Sequence, residues 1–139
     1  NKNDLFKRVR LRKFIGELKK EGLDFKKLKL TIDNLSDSNR TINYYVEQNI
    51  YKNSKFIKNK CAYILNRSFF RNPNEIVFRS FLRILREIGK KYYPARGKSI
   101  LKLMRALSDN NFKKTTLSGC IIEKLSNSVI IYKELRKKS

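Results

Sequence analysis

Arg79, Arg83, Arg86 and Lys90 recur at steps of four, three and four residues, and Lys98, Lys102 and Arg105 repeat the start of that spacing. On a helix turning 100° per residue, each set falls within about 60° of arc. A stripe of guanidinium and ammonium groups on one helical face suits charge-assisted hydrogen bonding to the phosphates of a polyanion. Solvated helix faces ordinarily mix both signs of charge. Here Glu75 and Glu87 are the only acids between Tyr51 and Ser108. The pattern favours a surface that faces nucleic acid over two ordinary wet faces.

Other chemistries find little support. The chain has no His, which removes Ser-His-Asp and Cys-His arrangements and His-based metal sites. Cys61 and Cys120 lack metal-ligand spacing. There is no G-x-x-x-x-G-K-[ST] loop and no G-x-G-x-x-G, and the 12 acids are scattered without a carboxylate pair. Cys120, between Gly119 and Ile121-Ile122, reads as a small buried hydrophobe rather than a nucleophile. No catalytic, cofactor or metal residues are therefore assigned. Tyr44, Tyr45, Tyr51, Tyr63, Tyr92 and Tyr93 offer rings to unpaired bases, although most tyrosines in a small domain belong to its core. Tyr92 and Tyr93 lead, because Lys90, Lys91 and Arg96 flank them.

The chain of 139 residues is long enough for one domain, or one small domain with an extension. Its 40% apolar content is sufficient for a core. Against 34 Lys and Arg stand 12 Asp and Glu, a net charge of +22. Such a field attracts polyanions. Abundant Lys, Asn and Ile is also what AT-rich codon use produces, so the distribution of charge is more telling than its total. Residues 51–108 hold 15 basic and 2 acidic residues, against 12 and 7 in 1–50 and 7 and 3 in 109–139. Codon bias predicts no such block. No apolar run approaches the roughly 20 residues of a membrane span, and no signal peptide is visible. A cytoplasmic location with reduced thiols is expected, a disulfide remaining compatible with the sequence. The chain begins at Asn1 and its one methionine is Met104, so a preceding segment is expected.

The elements that must carry these groups are mostly helical. Residues 4–20 read as a helix bearing Arg8 and Arg12 four apart, with Gly22 as its stop. Asp24 is placed to cap a second helix reaching about Tyr51. On it Phe25, Leu28, Ile32, Leu35, Asn39, Ile42 and Val46 alternate steps of three and four, a seam of the kind that packs against another helix. Residues 52–60 read as a basic linker, and Ala62-Tyr63-Ile64-Leu65 as an extended segment or a helical turn. Pro73 suits the first turn of a helix to Lys90, with Val77, Phe78, Phe81, Leu82, Leu85 and Ile88 inward and the arginine stripe outward. Gly89 and Tyr92-Tyr93-Pro94 end it. A further helix from about Arg96 to Leu107 turns Ile100, Leu101, Leu103, Met104 and Leu107 inward. Beyond Asn111 the β-branched residues predict a hairpin, with strands near 114–124 and 128–134 and a bulge or close backbone approach at Gly119. Residues 136–139 are expected to fray.

Three stretches, in order, resemble the tRNA(Ile)-lysidine synthetase family. Phe6-Lys7-Arg8-Val9-Arg10-Leu11-Arg12 with Glu21-Gly22-Leu23-Asp24 is similar to the arginine-rich helix that follows the family's catalytic domain. Arg79-Ser80-Phe81-Leu82-Arg83-Ile84-Leu85 with Tyr93-Pro94-Ala95-Arg96-Gly97-Lys98 is the second. Thr116-Leu117-Ser118-Gly119-Cys120, with Glu134 after it, is the third; it resembles the family's Thr-Leu-Gly-Gly-Cys with Ser118 in place of the first glycine. The resemblance implies ATP-dependent attachment of lysine to the wobble cytidine of an isoleucine tRNA. The family's Ser-Gly-Gly-x-Asp-Ser loop is nowhere in this sequence, so adenylation and ATP are expected in a catalytic domain preceding this chain. By resemblance, Arg8 and Arg12 fall at the domain junction, and Arg79 and Arg96 in the part that faces tRNA.

The sequence thus predicts a mainly α fold: a long helix, an amphipathic helical pair and a small C-terminal β-hairpin. Residues 1–53 are expected to form a helical junction and linker-helix region, and 54–139 a basic substrate-recognition domain. The expected role is tRNA binding without catalysis, through Arg8, Arg12, Arg79, Arg83, Arg86, Lys90, Arg96, Lys98, Lys102 and Arg105. A general RNA-binding or ribosome-associated module is the alternative, and a membrane-surface or scaffolding helical protein a further rival. A homodimer is left open.

Overall fold

The structure, a computed structural model, describes residues 2–135. The frayed tail expected at 136–139 lies outside the described residues. Two compact units are present, residues 1–41 and 42–139.

The first unit is built on two helices, α1 (Lys2–Lys20) and the opening turns of α2 (Phe25–Asn53). The stop between them is a Schellman motif. Gly22 takes φ +96°, its N–H donates to the Lys19 carbonyl, and the Leu23 N–H donates to the Leu18 carbonyl. Asp24 then caps α2, its Oδ1 accepting from the Lys26 N–H at 2.9 Å. The Lys19 ammonium sits 4.6 Å from the Phe25 ring centroid. Phe6, Val9 and Phe14 of α1 are exposed, and so are Phe25, Leu28, Ile32 and Leu35 of the α2 seam. Two helices joined by a short turn cannot enclose side chains of that size. Only farther along does the seam become covered, half-buried at Ile42 and buried at Val46, and those residues belong to the second unit.

The second unit combines the end of α2 with β1 (Ser54–Ile57), β2 (Ala62–Asn66), α3 (Asn74–Gly89), α4 (Gly97–Leu107), β3 (Lys114–Leu117), β4 (Cys120–Lys124) and β5 (Ser128–Lys133). The strands form one antiparallel sheet in the order β1-β2-β5-β4-β3. The small terminal hairpin expected from the sequence is therefore corrected to five strands, although helix still predominates. Residues 52–60 are not a linker. They end α2, form β1 and make a one-turn 3-10 helix (Lys58–Lys60) closed by Cys61 at φ 45°. Lys55, Phe56 and Ile57 lack a clean alternation, and their strand state comes from pairing with Ile64, Tyr63 and Ala62.

The strand expected over 114–124 is in fact two. Leu117 pairs with Cys120 across Ser118-Gly119, and both central residues have positive φ, 54° and 75°, as a type I′ turn requires. Gly119 is a turn residue rather than a bulge. The two edge strands carry Lys55 and Lys114, a common protection against edge-to-edge pairing.

The core lies between α3, α4 and one face of the sheet. Val77, Phe81, Ile84, Leu85 and Ile88 of α3 meet Ile100, Leu103 and Leu107 of α4, over Tyr63, Leu65, Cys120, Ile122, Val129 and Ile131. Each fully buried aliphatic side chain contributes about 1.5–3 kcal/mol. Phe78, Leu82 and Met104 are half-buried at its rim. Leu101 is exposed, contrary to the inward face expected of it: Ile100, Leu103 and Leu107 define the buried stripe, and Leu101 stands 100° away from Ile100.

Candidate nucleic-acid interface

Pro73 is the residue just before α3, and the Ile76 and Val77 N–H groups donate to its carbonyl. The other end closes at Lys90, whose φ of 47° places it, and not Gly89, in the left-handed region. Gly89 is needed for a different reason. A Cβ there would overlap the Ser118 carbonyl oxygen and stand 3.2 Å from Cys120 Sγ. This is a close backbone approach of the kind read at Gly119, met from the helix side.

With the helix so anchored, Arg79, Arg83 and Arg86 line a depression of about 560 Å³, with Phe78 and Leu82 beside them and Asn43, Val46 and Glu47 of α2 opposite. Two of the three arginines have carboxylate neighbours. Arg79 Nε donates to Glu75 Oε1 at 2.6 Å, and Arg83 pairs with Glu47 of α2 at 3.5 Å. The first is an i,i+4 pair within α3, but the second was not visible in the sequence, since Glu47 lies 36 residues from Arg83. Pairs this exposed are worth little and yield to a phosphate with better geometry. The face is thus less uniformly basic than spacing suggested, with Arg79 and Arg83 each beside a carboxylate.

Helix α4 begins after Arg96, whose carbonyl accepts from the Ser99 and Ile100 N–H groups. Gly97 approaches the ring of Phe78, within 3.6 Å of a Cβ built on it, so the first turn of α4 borders the depression that Phe78 helps line. Arg96 and Lys98 are exposed at that end. Lys102 instead lines a separate depression with Phe112, Thr115, Thr116 and Leu117, and Arg105 is exposed in the last turn. Lys90 is exposed at the α3 terminus. Arg8 and Arg12 are exposed on α1, in the other unit. The structure groups Arg79, Arg83 and Arg86 in one depression and Lys102 in another.

Not every cation in the unit is available to a ligand. Lys124 Nζ donates to the Leu107 and Asp109 carbonyls, both at 2.8 Å, and so satisfies the carboxyl end of α4. Glu87 accepts from the Tyr63 hydroxyl at 3.0 Å, and burial together with this carboxylate pushes the Tyr63 pKa up to about 12. Burial likewise raises the Cys120 thiol to about 11, and its Sγ lies 3.5 Å from the Leu85 carbonyl; it is inert as a nucleophile at neutral pH. Among the described residues no group of three or more Cys, Asp or Glu could hold a metal ion. No described helix is long and apolar enough to cross a membrane.

The chain is similar to a tRNA(Ile)-lysidine synthase. That protein, from Wolbachia sp. subsp. Brugia malayi (strain TRS), is 34% identical over 70 residues. The similarity takes in 50% of this chain and 16% of the relative, so the chain spans about a sixth of the length of the curated protein it matches. No family model matches, and neither does any solved structure. The match is partial, and it supports the resemblance to this family over half of the chain only.

Proposed function

We propose that this chain is a tRNA-binding, non-catalytic portion of a tRNA(Ile)-lysidine synthase. The observation that carries the reading is the 34% identity over 70 residues to such an enzyme. The arginine-lined depression between α2 and α3 supports it physically. Arg83 and Arg86 are exposed there and Arg79 is half-buried, and helical arginines position a nucleic-acid backbone through its phosphates. On this reading Arg79, Arg83, Arg86, Lys90, Arg96, Lys98, Lys102 and Arg105 hold tRNA phosphates, with Arg8 and Arg12 at the junction with the rest of the enzyme. The anticodon loop is presented to a catalytic domain outside this chain, and ATP and lysine are bound there. The setting is the cytoplasm, and the chain alone is inactive as a ligase.

The test is preference among RNAs. Fluorescence anisotropy with isoleucine tRNA, an unrelated tRNA and an unrelated structured RNA of equal length should rank the isoleucine tRNA first. Equal affinity for all three would replace this reading with the general RNA-binding module that a charge of +22 also fits.

A further inference from the structure

Between α3 and α4 the chain runs through Lys90-Lys91-Tyr92-Tyr93-Pro94-Ala95-Arg96 with both ends tied down. The Lys90 N–H donates to the Arg86 carbonyl, and Ala95 packs against the core. Between these anchors Tyr92 is 91% and Tyr93 78% exposed, their rings edge to face with centroids 4.9 Å apart. A tyrosine normally gains from burying its 150–250 Å² of surface. Two adjacent ones left in water, on a short segment anchored at both ends, forgo that gain. The edge-to-face arrangement also leaves ring faces open.

The opposite wall is the Ser118-Gly119 turn. Together Lys91, Tyr92, Tyr93, Ala95, Leu117 and Gly119 contribute to a cleft of about 580 Å³, within the roughly 300–1,000 Å³ usual for small-ligand sites. Leu117 and Ala95 make part of it apolar. Lys91 offers a cation, with Lys90 and Arg96 exposed in the same segment. Glu134 also lines the cleft, and its carboxylate disfavours a phosphate on that side, which leaves Lys91 as the flank suited to one. Open aromatic faces, an apolar patch and cations on one flank are the elements of a site for an unpaired base.

We propose that the cleft between the Lys91–Ala95 segment and the Ser118-Gly119 turn takes an unpaired RNA base, stacked on Tyr92 or Tyr93 with its phosphate on Lys91. This rests on the RNA-binding reading above and adds to it an interaction that phosphate stripes cannot make. It distinguishes single-stranded from paired RNA.

The test uses the full chain and three fluorescein-labelled probes at low salt: a 12-nucleotide single strand, an abasic strand of the same length, and a blunt duplex. The double variant Tyr92→Ala/Tyr93→Ala should bind the single strand roughly 5- to 100-fold more weakly for each base that no longer stacks. Its affinity for the abasic strand and the duplex should stay within about twofold of wild type, and Tyr92→Phe/Tyr93→Phe should retain single-strand binding, since stacking needs the ring and not the hydroxyl. Wild-type binding of all three probes, with an alanine variant that loses none or loses all alike, would overturn the stacking site and leave RNA binding standing. Wild-type protein that binds no probe would overturn the RNA-binding reading and this site with it.

Discussion

Asn49 shows how much one buried amide can organise. It is 2% exposed, and its Nδ2 donates to the Phe69 carbonyl and Ser80 Oγ while its Oδ1 accepts from Asn53 and Asn72. Four partners, one on the same helix, two in the stretch 69–72 and one on α3, fill the hydrogen-bonding capacity of the amide, so its burial is compensated. Asn49→Ala would strand several of those partners. It should destabilise the second unit by about 2–3 kcal/mol, a fall in Tm of roughly 10–20 °C by thermal melting, and an unchanged Tm would refute the network's importance. Nothing in the local sequence marked Asn49, because a polar residue on a helix is ordinarily read as wet; its partners lie up to 31 residues away. Tyr63 gives a pH prediction. Its folded pKa of about 12 lies above the ordinary 10, so the folded state keeps the proton longer. That contribution is complete below pH 10 and is lost as pH rises from 10 toward 12. Denaturant titrations over that window should show stability falling more steeply for wild type than for Tyr63→Phe, and parallel curves would show the hydroxyl to be uncoupled from folding.

At the scale of elements, the sheet and α3 are registered by two glycines with different duties. Gly89 meets backbone, the Ser118 carbonyl, which cannot move without displacing the turn. Gly119 meets the end of the Lys91 side chain, which can swing aside, and its cost lies in φ 75° instead. Gly119→Ala should therefore cost about 1–2 kcal/mol, and Gly89→Ala about the same or more, with disturbed packing of α3 on β4. Ser118 at φ 54° occupies a position where the resembled family pattern has glycine. Ser118→Asn, which tolerates that conformation in type I′ turns, should raise stability by about 0.5–1 kcal/mol. Chemical denaturation of the three variants ranks these expectations directly, and a stabilised Gly89→Ala would contradict the close approach. The helices were legible because their signals are local: Gly22 and Asp24 for the α1–α2 junction, and the amphipathic faces of α3 and α4. β1 was not, because four residues without alternation become a strand only when β2 lies beside them.

Across the whole molecule, charge and scaffold are separate contributions. Lys124 is part of the scaffold, whereas Arg83 and Arg86 are exposed on α3 and Arg79 is half-buried beside Glu75. Arg79→Gln/Arg83→Gln/Arg86→Gln should accordingly keep its helical circular dichroism while weakening tRNA binding. Its plot of log affinity against log salt should be shallower by roughly 0.7–0.9 for each phosphate that is no longer neutralised. Disappearance of the helical signal would instead make those arginines structural.

The sequence by itself determined the helices, the turn and cap between α1 and α2, most of the inward faces of α3 and α4 and the concentration of positive charge, since each depends on residues within a turn or two of one another. Only the tertiary structure decided that five strands share one sheet and that Gly89 lies against Ser118. It also decided that Glu47 reaches Arg83, and that Arg79, Arg83 and Arg86 line one depression while Lys102 lines another. The physical reason is range. Helical signals repeat every few residues, whereas strand pairing and the grouping of charges depend on chain segments distant in sequence that fold side by side.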